Sequence, residues 1–470
     1  MYIAFKTEQL THQKLIYDKT KNEPFWAYFL DMGTGKTKLT LDVIYYQYAV
    51  NNLRYLIILC NRGCYLNFED QFKEHYSGEY IIGVYSSSSN KKQLDLVDYI
   101  LQGGNKDKLN VLLCTINTLS SKDKTLRLIN FAKKYGAGCV IDESSSIKNP
   151  KALMTKGAIF LGKHCTFRRV LTGSPCDNSP LNVWSQFEFL QPGCLGFENY
   201  YVFRSRYAIL FPFSIGTKGV INIVKGYRDM DDLRLRMSKY ASFVSKQECV
   251  DLPEKIYTTR YITLTTEQKE AYDNIKHNLI HNTDKGICAT QYIISQIVKL
   301  RQICNGFLVL NNSKVEVFKN DKINILNEIS GELDNGIIWC EYVRQIKTVY
   351  DIFKNDRAFC YYGVSTTAER EFIKNNCNSD KIKWIISNPQ SGGYGNNWAK
   401  FHNVIYLSSG FDLEKRRQSE DRCHRLGQKH NVTYIDIVAK NTIEEKILNV
   451  LKKKKELSLS LIVSNIKEYI

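Results

Sequence analysis

Two short stretches of this chain carry residue types suited to phosphoryl chemistry. The first is Ala27-Tyr28-Phe29-Leu30-Asp31-Met32-Gly33-Thr34-Gly35-Lys36-Thr37, an apolar, aromatic run that passes through two glycines into a helical pattern over Lys38 to Gln47. At Gly33 and Gly35, on either side of Thr34, the backbone can take angles that other residues resist, so successive N–H groups can converge on one phosphate. The positive end of the following helix adds to the attraction. Lys36 can reach the β and γ phosphates of a nucleoside triphosphate, and the Thr37 hydroxyl is an oxygen ligand for Mg²⁺. Leu30 stands where the strict GxxxxGK[ST] pattern has its first glycine. The second stretch, Gly138-Cys139-Val140-Ile141-Asp142-Glu143, lies about a hundred residues later and reads as a strand ending in two carboxylates. Asp142 can hold Mg²⁺ through a bound water, and Glu143 can orient or deprotonate an attacking water.

Other residues could complete such a site. Gln13 precedes the loop by one element, and its amide could pair with the N6 and N7 edge of adenine. Taken alone, its place in a short helical pattern reads as a solvated face. Thr172-Gly173-Ser174, after the strand pattern that begins at Arg169, would bring small hydroxyls beside the acidic pair. Arg422 and Arg425 are three residues apart and would share one face of a helix, with Gln418 a turn earlier. Two guanidiniums on one face suit a triphosphate.

The elements that must position these residues alternate strand and helix, which predicts a parallel sheet covered on both faces. Strand patterns recur at 53–60, 111–115, 138–142 and 169–171, and a second series runs over 337–340, 359–362, 384–387 and 404–407. Between them, Tyr200 to Tyr207, Met230 to Phe243, Thr265 to Leu279 and Gln291 to Cys304 read as helices, and Gly216 to Gly226 as a hairpin. The expected organisation is a first lobe over 1–195, a helical insertion and connection over 196–318, and a second lobe with a C-terminal helix over 319–470.

At 470 residues the chain suits two or three domains, and 43% hydrophobic content is ample for packed cores. The formal net charge of +17 points to a polyanionic partner, nucleic acid before an anionic membrane surface. No apolar run reaches the length of a membrane span. The fourteen cysteines include no C-x-x-C pair, and nothing near Cys60 and Cys64 completes a zinc quartet; with no signal-peptide pattern at the N-terminus, they read as reduced, mostly buried thiols in a cytosolic compartment.

The order of these pieces resembles the superfamily-two helicases and translocases, and within them the Swi/Snf-like group. The likeness rests on Asp31 to Thr37, Asn67 to Phe72, Asp142 to Pro150, Leu171 to Asn178, Leu300 to Asn305, Ser391 to Asn397 and Asp421 to Gln428, and so covers nearly the whole chain. The resemblance implies an α/β fold of two RecA-like parallel-sheet lobes in tandem, with ATP and Mg²⁺ as cofactors and double-stranded DNA as partner. Gln13 is similar to the family's adenine-reading Gln, and Arg422 and Arg425 to its arginine fingers, supplied by the second lobe. Gly395, in the glycine-rich turn, is assigned to the nucleotide. Asn67, Thr115, Ser391 and Gly392 are assigned to DNA. Ser145 and Ser146 stand where the family usually has His or Asp and then Arg, at the point that relays hydrolysis to motion. Gly306 stands where a His is usual.

The expected activity is a DNA-stimulated ATPase that tracks along duplex DNA. Two rivals remain open: a strand-separating or branch-migrating helicase acting on branched or single-stranded DNA, and a DNA clamp whose ATPase has decayed. The richness in Lys, Asn, Ile and Tyr suits an AT-rich phage or bacterial genome and a nucleoid-associated protein of the cytoplasm.

Overall fold

Runs such as Tyr55–Cys60 and Leu109–Thr115 are apolar on both faces, which suits strands covered by helices on both sides of a parallel sheet. The computed structural model describes residues 4–61, 65–86, 89–176, 178–214, 220–246, 252–284, 290–310, 313–392, 397–425 and 427–462. The chain forms two compact units, one of Met1–Ile209, Gly226–Asp251 and Leu457–Ile470, the other of Leu210–Lys225 and Leu252–Glu456.

In the first unit, strands β1 (Phe25–Leu30), β2 (Tyr55–Cys60), β3 (Tyr80–Tyr85), β4 (Leu109–Thr115), β5 (Gly138–Asp142) and β6 (Arg168–Leu171) belong to one sheet. After the paired strands β7 (Ala208–Ser214) and β8 (Val220–Tyr227), strand β9 (Ala241–Val244) completes it in the order β3-β4-β2-β5-β6-β1-β9. Every pairing is parallel. Leu171 of β6 is in register with Tyr28 of β1 on one side and Asp142 of β5 on the other. The chain therefore leaves β1, β6 and β5 at one edge of the sheet, where ligands of open α/β sheets bind.

The second unit holds β10 (Lys255–Ile262), β13 (Gly336–Trp339), β14 (Ala358–Tyr361), β15 (Trp384–Ser387), β16 (Asn403–Tyr406) and β17 (Val432–Ala439). They form a parallel sheet in the order β10-β17-β16-β13-β15-β14, while β11 (Phe307–Val309) and β12 (Val315–Val317) make a separate antiparallel pair. Trp339, Trp384 and Trp398 are wholly buried and fill its cores.

The fold class matches the expectation of two parallel-sheet α/β lobes in tandem. The stretch 196–318 contains the expected helices, but it also donates one strand to each sheet, β9 and β10. The helical reading of Met230 to Phe243 is corrected accordingly: the helix stops at Ser238, and Ala241–Val244 is buried on both faces against β1. Among the described residues no helix is long and apolar enough to cross a membrane.

Candidate active site

The phosphate loop is held open by two left-handed glycines, Gly33 at φ +83° and Gly35 at φ +81°. Neither position tolerates a side chain without strain. A β-carbon on Gly35 would also fall 2.0 Å from the Gln13 amide nitrogen. Lys36 opens the helix Lys36–Val50, and its ammonium donates to the carbonyls of Leu30 at 2.8 Å and Asp31 at 3.2 Å. Thr37 follows it in the first turn, half-buried. Thr34 is wholly buried and turns its hydroxyl onto the Asp31 carbonyl at 2.7 Å.

Gln13 does not sit on a solvated face. It is 1% exposed, and its amide donates to the carbonyls of Thr34 at 3.2 Å and Gly35 at 3.3 Å while its oxygen accepts the Leu10 N–H. Its neighbour His12 places Nε2 2.8 Å from the same Thr34 carbonyl, a contact not foreseen from the sequence. The helix Thr11–Thr20 thus props the loop from behind.

Asp142 ends β5, and burial raises its carboxyl above the usual carboxylate range despite the opposing charge of Lys36 and the Glu143 N–H. Glu143 leaves the strand at φ +51°, a strained angle for a residue with a side chain, of a kind that collects at functional sites. Neighbouring hydroxyls and the Ser146 backbone N–H, which donates to the Glu143 carbonyl at 3.0 Å, hold it there. The Ser146 hydroxyl donates to its carbonyl at 2.8 Å, and the Thr172 hydroxyl reaches its carboxylate at 3.4 Å. Ser146 therefore braces the strained turn in which the resemblance places an arginine, and Ser145, its neighbour in the short helix Ser144–Ile147, is buried. Gly173 lets the β6 loop approach the phosphate loop: a β-carbon there would lie 3.3 Å from both the Leu30 carbonyl and the Met32 nitrogen. Thr37 and Asp142 offer the hard oxygen donors that Mg²⁺ takes. Among the described residues no group of three or more His, Cys, Asp or Glu is placed to hold a metal ion.

In the second unit, the expectation of a shared helical face for Arg422 and Arg425 is corrected. The helix Leu413–Glu420 ends before them, and residues 421–425 follow as turns, with Cys423 and His424 both donating backbone N–H groups to the Glu420 carbonyl. Gly427 is left-handed at φ +97°. Gln418, on the helix, is 2% exposed. Arg422 is buried, and burial lowers the affinity of Arg425 for its proton, with Asp421 opposing.

What holds this turn is a buried network invisible in the motif. Arg416 forks onto Asp436 at 2.6 and 2.9 Å, donates to Glu420 at 2.9 Å and lies over the Tyr406 ring. The other Glu420 oxygen accepts from Tyr257 at 2.7 Å and Lys255 at 3.2 Å. Burial alone would raise the Glu420 carboxyl, but Lys255, Arg416 and Lys455 outweigh it and hold the group at about 2. At the far end, the Gln428 amide donates to the carbonyls of Ala399, Phe401 and Cys423.

The residues assigned to DNA are less informative. Thr115 ends β4 with its hydroxyl 3.0 Å from that of Thr118, and Ser391 and Gly392 end the short helix Pro389–Gly392. Asn67 lies in the helix Tyr65–His75, but its side chain is outside the described residues, as is Gly395.

Residues 29–307, more than half of the chain, match the SNF2-related domain family, and residues 321–427 match the helicase conserved C-terminal domain. The chain belongs to the SNF2-related family. Among similar proteins, an uncharacterised ATP-dependent helicase of Mycoplasma genitalium is 27% identical over 93% of this chain. Human TATA-binding protein-associated factor 172 is 23% identical over 92% of it. The chain spans 40% of the length of the first and 26% of the second. The SWI2/SNF2 ATPase core of Sulfolobus solfataricus, solved in complex with double-stranded DNA, is 24% identical, with a TM-score of 0.42 over 98% of this chain and 94% of its own.

Proposed function

We propose that this SNF2-related chain is an ATP-hydrolysing motor, stimulated by DNA and translocating on the double helix. The observation that carries the reading is the convergence of the phosphate loop and the Asp142–Glu143 pair at one edge of one sheet, tied through Thr172 and Gly173. In this reading Gly33 to Thr37 bind the triphosphate, Lys36 draws charge from its β and γ groups, and Gln13 stands beside the loop for the base. Thr37 and Asp142 hold Mg²⁺, which when bound neutralises charge on the phosphate oxygens. Glu143 orients the attacking water and takes its proton. Arg422 and Arg425 stabilise charge that develops on the transferred phosphoryl group. The net charge of +17 suits a phosphodiester track followed without regard to sequence. The name of the Mycoplasma relative, an ATP-dependent helicase, agrees with ATP as the fuel.

The test is steady-state ATP hydrolysis by the full chain with no nucleic acid, single-stranded DNA, duplex DNA and RNA. The expected result is the largest stimulation by duplex DNA, weakening steeply as salt rises through counterion release. Stimulation by single strands alone would favour a strand-separating enzyme, and no hydrolysis under any condition would favour a clamp.

A further inference from the structure

We propose that Lys246 is a second phosphate-contacting lysine of the nucleotide site, seated on the phosphate loop from the β9 side; the proposal rests on the reading of that loop as an ATP site. Strand β9 lies beside β1 in parallel register, Leu30 opposite Val244, so the residues that follow both strands emerge at the same edge. Two hydrogen bonds stitch them together there. The Asp31 N–H donates to the Val244 carbonyl at 3.0 Å, and the Lys246 N–H donates to the Asp31 carboxylate at 3.0 Å. The first residue of the loop is thereby fixed against the start of the Lys246 side chain.

That side chain does not run out into solvent. Lys246 is 7% exposed, and its Cε lies 3.6 Å from where a β-carbon on Gly33 would stand. Its Cε therefore lies against the bare face of a left-handed glycine, and the ammonium is one bond beyond it. Gly33 is itself exposed, so the loop remains open to solvent beside the Lys246 side chain. A loop built this way presents two lysines to a tri-anionic tail, Lys36 from the helix that follows β1 and Lys246 from the segment that follows β9. The loop has no first glycine, because Leu30 is wholly buried as the last residue of β1. The ammonium of Lys246 supplies positive charge to a cradle that is shorter in glycine than the strict pattern.

The bond from the Lys246 backbone N–H to Asp31 does not depend on the side chain, so Met and Arg variants probe the ammonium. Lys246→Met keeps the methylenes without the charge, and Lys246→Arg keeps the charge. The experiment is equilibrium dialysis of ATP and AMP, each with Mg²⁺, against the full-length parent and both variants, with thermal unfolding to verify the fold. Loss of one charge-assisted hydrogen bond should weaken ATP binding roughly ten- to hundred-fold in Lys246→Met. AMP, which lacks the β and γ groups, should change little, and Lys246→Arg should retain most of the ATP affinity. ATP affinity equal to the parent in Lys246→Met would overturn the proposal, as would equal loss for ATP and AMP, the mark of a side chain that only shapes the loop. A parent that binds ATP no better than AMP would instead overturn the reading of the loop itself.

Discussion

The two halves of the candidate machinery are built in opposite ways. In the first unit the chemistry sits on the backbone: two left-handed glycines, a strained Glu143 and the start of a helix, all within a few residues of strand ends. In the second unit the arginines ride on a turn with little regular structure of its own, and side chains drawn from β10, β16, β17 and the helix before the turn hold it in place. The first design needs particular residues at particular positions, because only glycine tolerates those angles and close approaches. The second needs a satisfied buried network, whose members can lie anywhere in the chain. A site of the first kind should fail by losing chemistry, and one of the second kind by losing geometry.

The largest effects should come from the reacting groups themselves. Arg425→Ala should lower turnover by roughly 10³ to 10⁵, the range of an arginine finger, while ATP binding stays near the parent value. Glu143→Gln should lower it by roughly 10² to 10⁴, as expected for a general base, and should accumulate bound ATP. Single-turnover hydrolysis alongside nucleotide binding checks both. If DNA acts by engaging the arginines, Arg425→Ala should also lose its fractional stimulation by duplex DNA. Equal stimulation in variant and parent would separate DNA sensing from the arginines.

Next in size is the network beneath the arginine turn. Arg416→Ala leaves Asp436 and Glu420 buried beside a missing guanidinium. Breaking such a pair costs about 3 to 5 kcal/mol. The second unit should unfold at lower denaturant while the first keeps its midpoint, as read by hydrogen exchange in β17 against the helix Lys36–Val50. A uniform loss across both units, or none, would contradict a device local to the turn.

This contrast also explains what the sequence discloses. The placement of Asp31 to Thr37 and Asp142-Glu143 at neighbouring strand ends was legible because the backbone geometry is encoded in contiguous letters. The alternation of apolar runs disclosed the two sheets for the same reason. Strand β9 was not legible: its four residues extend an apolar pattern that the preceding helix had already begun, and only pairing with β1 decides between the two. The arginine turn was read as helix because a spacing of three fits both a helix face and a turn that winds through residues 421–425. The burial of Gln13 was not legible from its local pattern, because its partners are backbone carbonyls of Thr34 and Gly35, which carry no signature in a sequence, and only the resemblance assigned it to the nucleotide. Arg416, Glu420 and Asp436 gave no local signal, since charged residues in a helix and a strand ordinarily face water, and their burial follows from mutual pairing.

The smallest effect expected is a difference in the pH response of the two units, and it follows from carboxylates shifted in opposite senses. Glu420 is held at about 2 in the folded chain against an ordinary value of 4.5. Its folded pKa is depressed, so the stability it contributes is fully present above the unfolded value and is lost as pH falls from about 4.5 toward 2. By pH 4 about 1 kcal/mol should be gone from the second unit at this residue. In the first unit, Asp42 is buried at 1% exposure, and burial raises it above the ordinary 3.8, although Lys38 and Gln9 pull the other way. Its ionised form is the costly one in the fold. That cost is present at neutral pH and is relieved as pH falls through the window between the raised value and 3.8. Mild acid should therefore loosen the second unit at Glu420 while easing a strain in the first. The measurement is exchange protection at pH 7 and pH 4, corrected for intrinsic rates, in the parent and in Glu420→Gln. The variant should be weaker in the second unit at pH 7 yet should show a flatter response there to acid, with the first unit unchanged. The same acid response in variant and parent would mean that the carboxylate beneath the arginine turn does not set the pH limit of that unit.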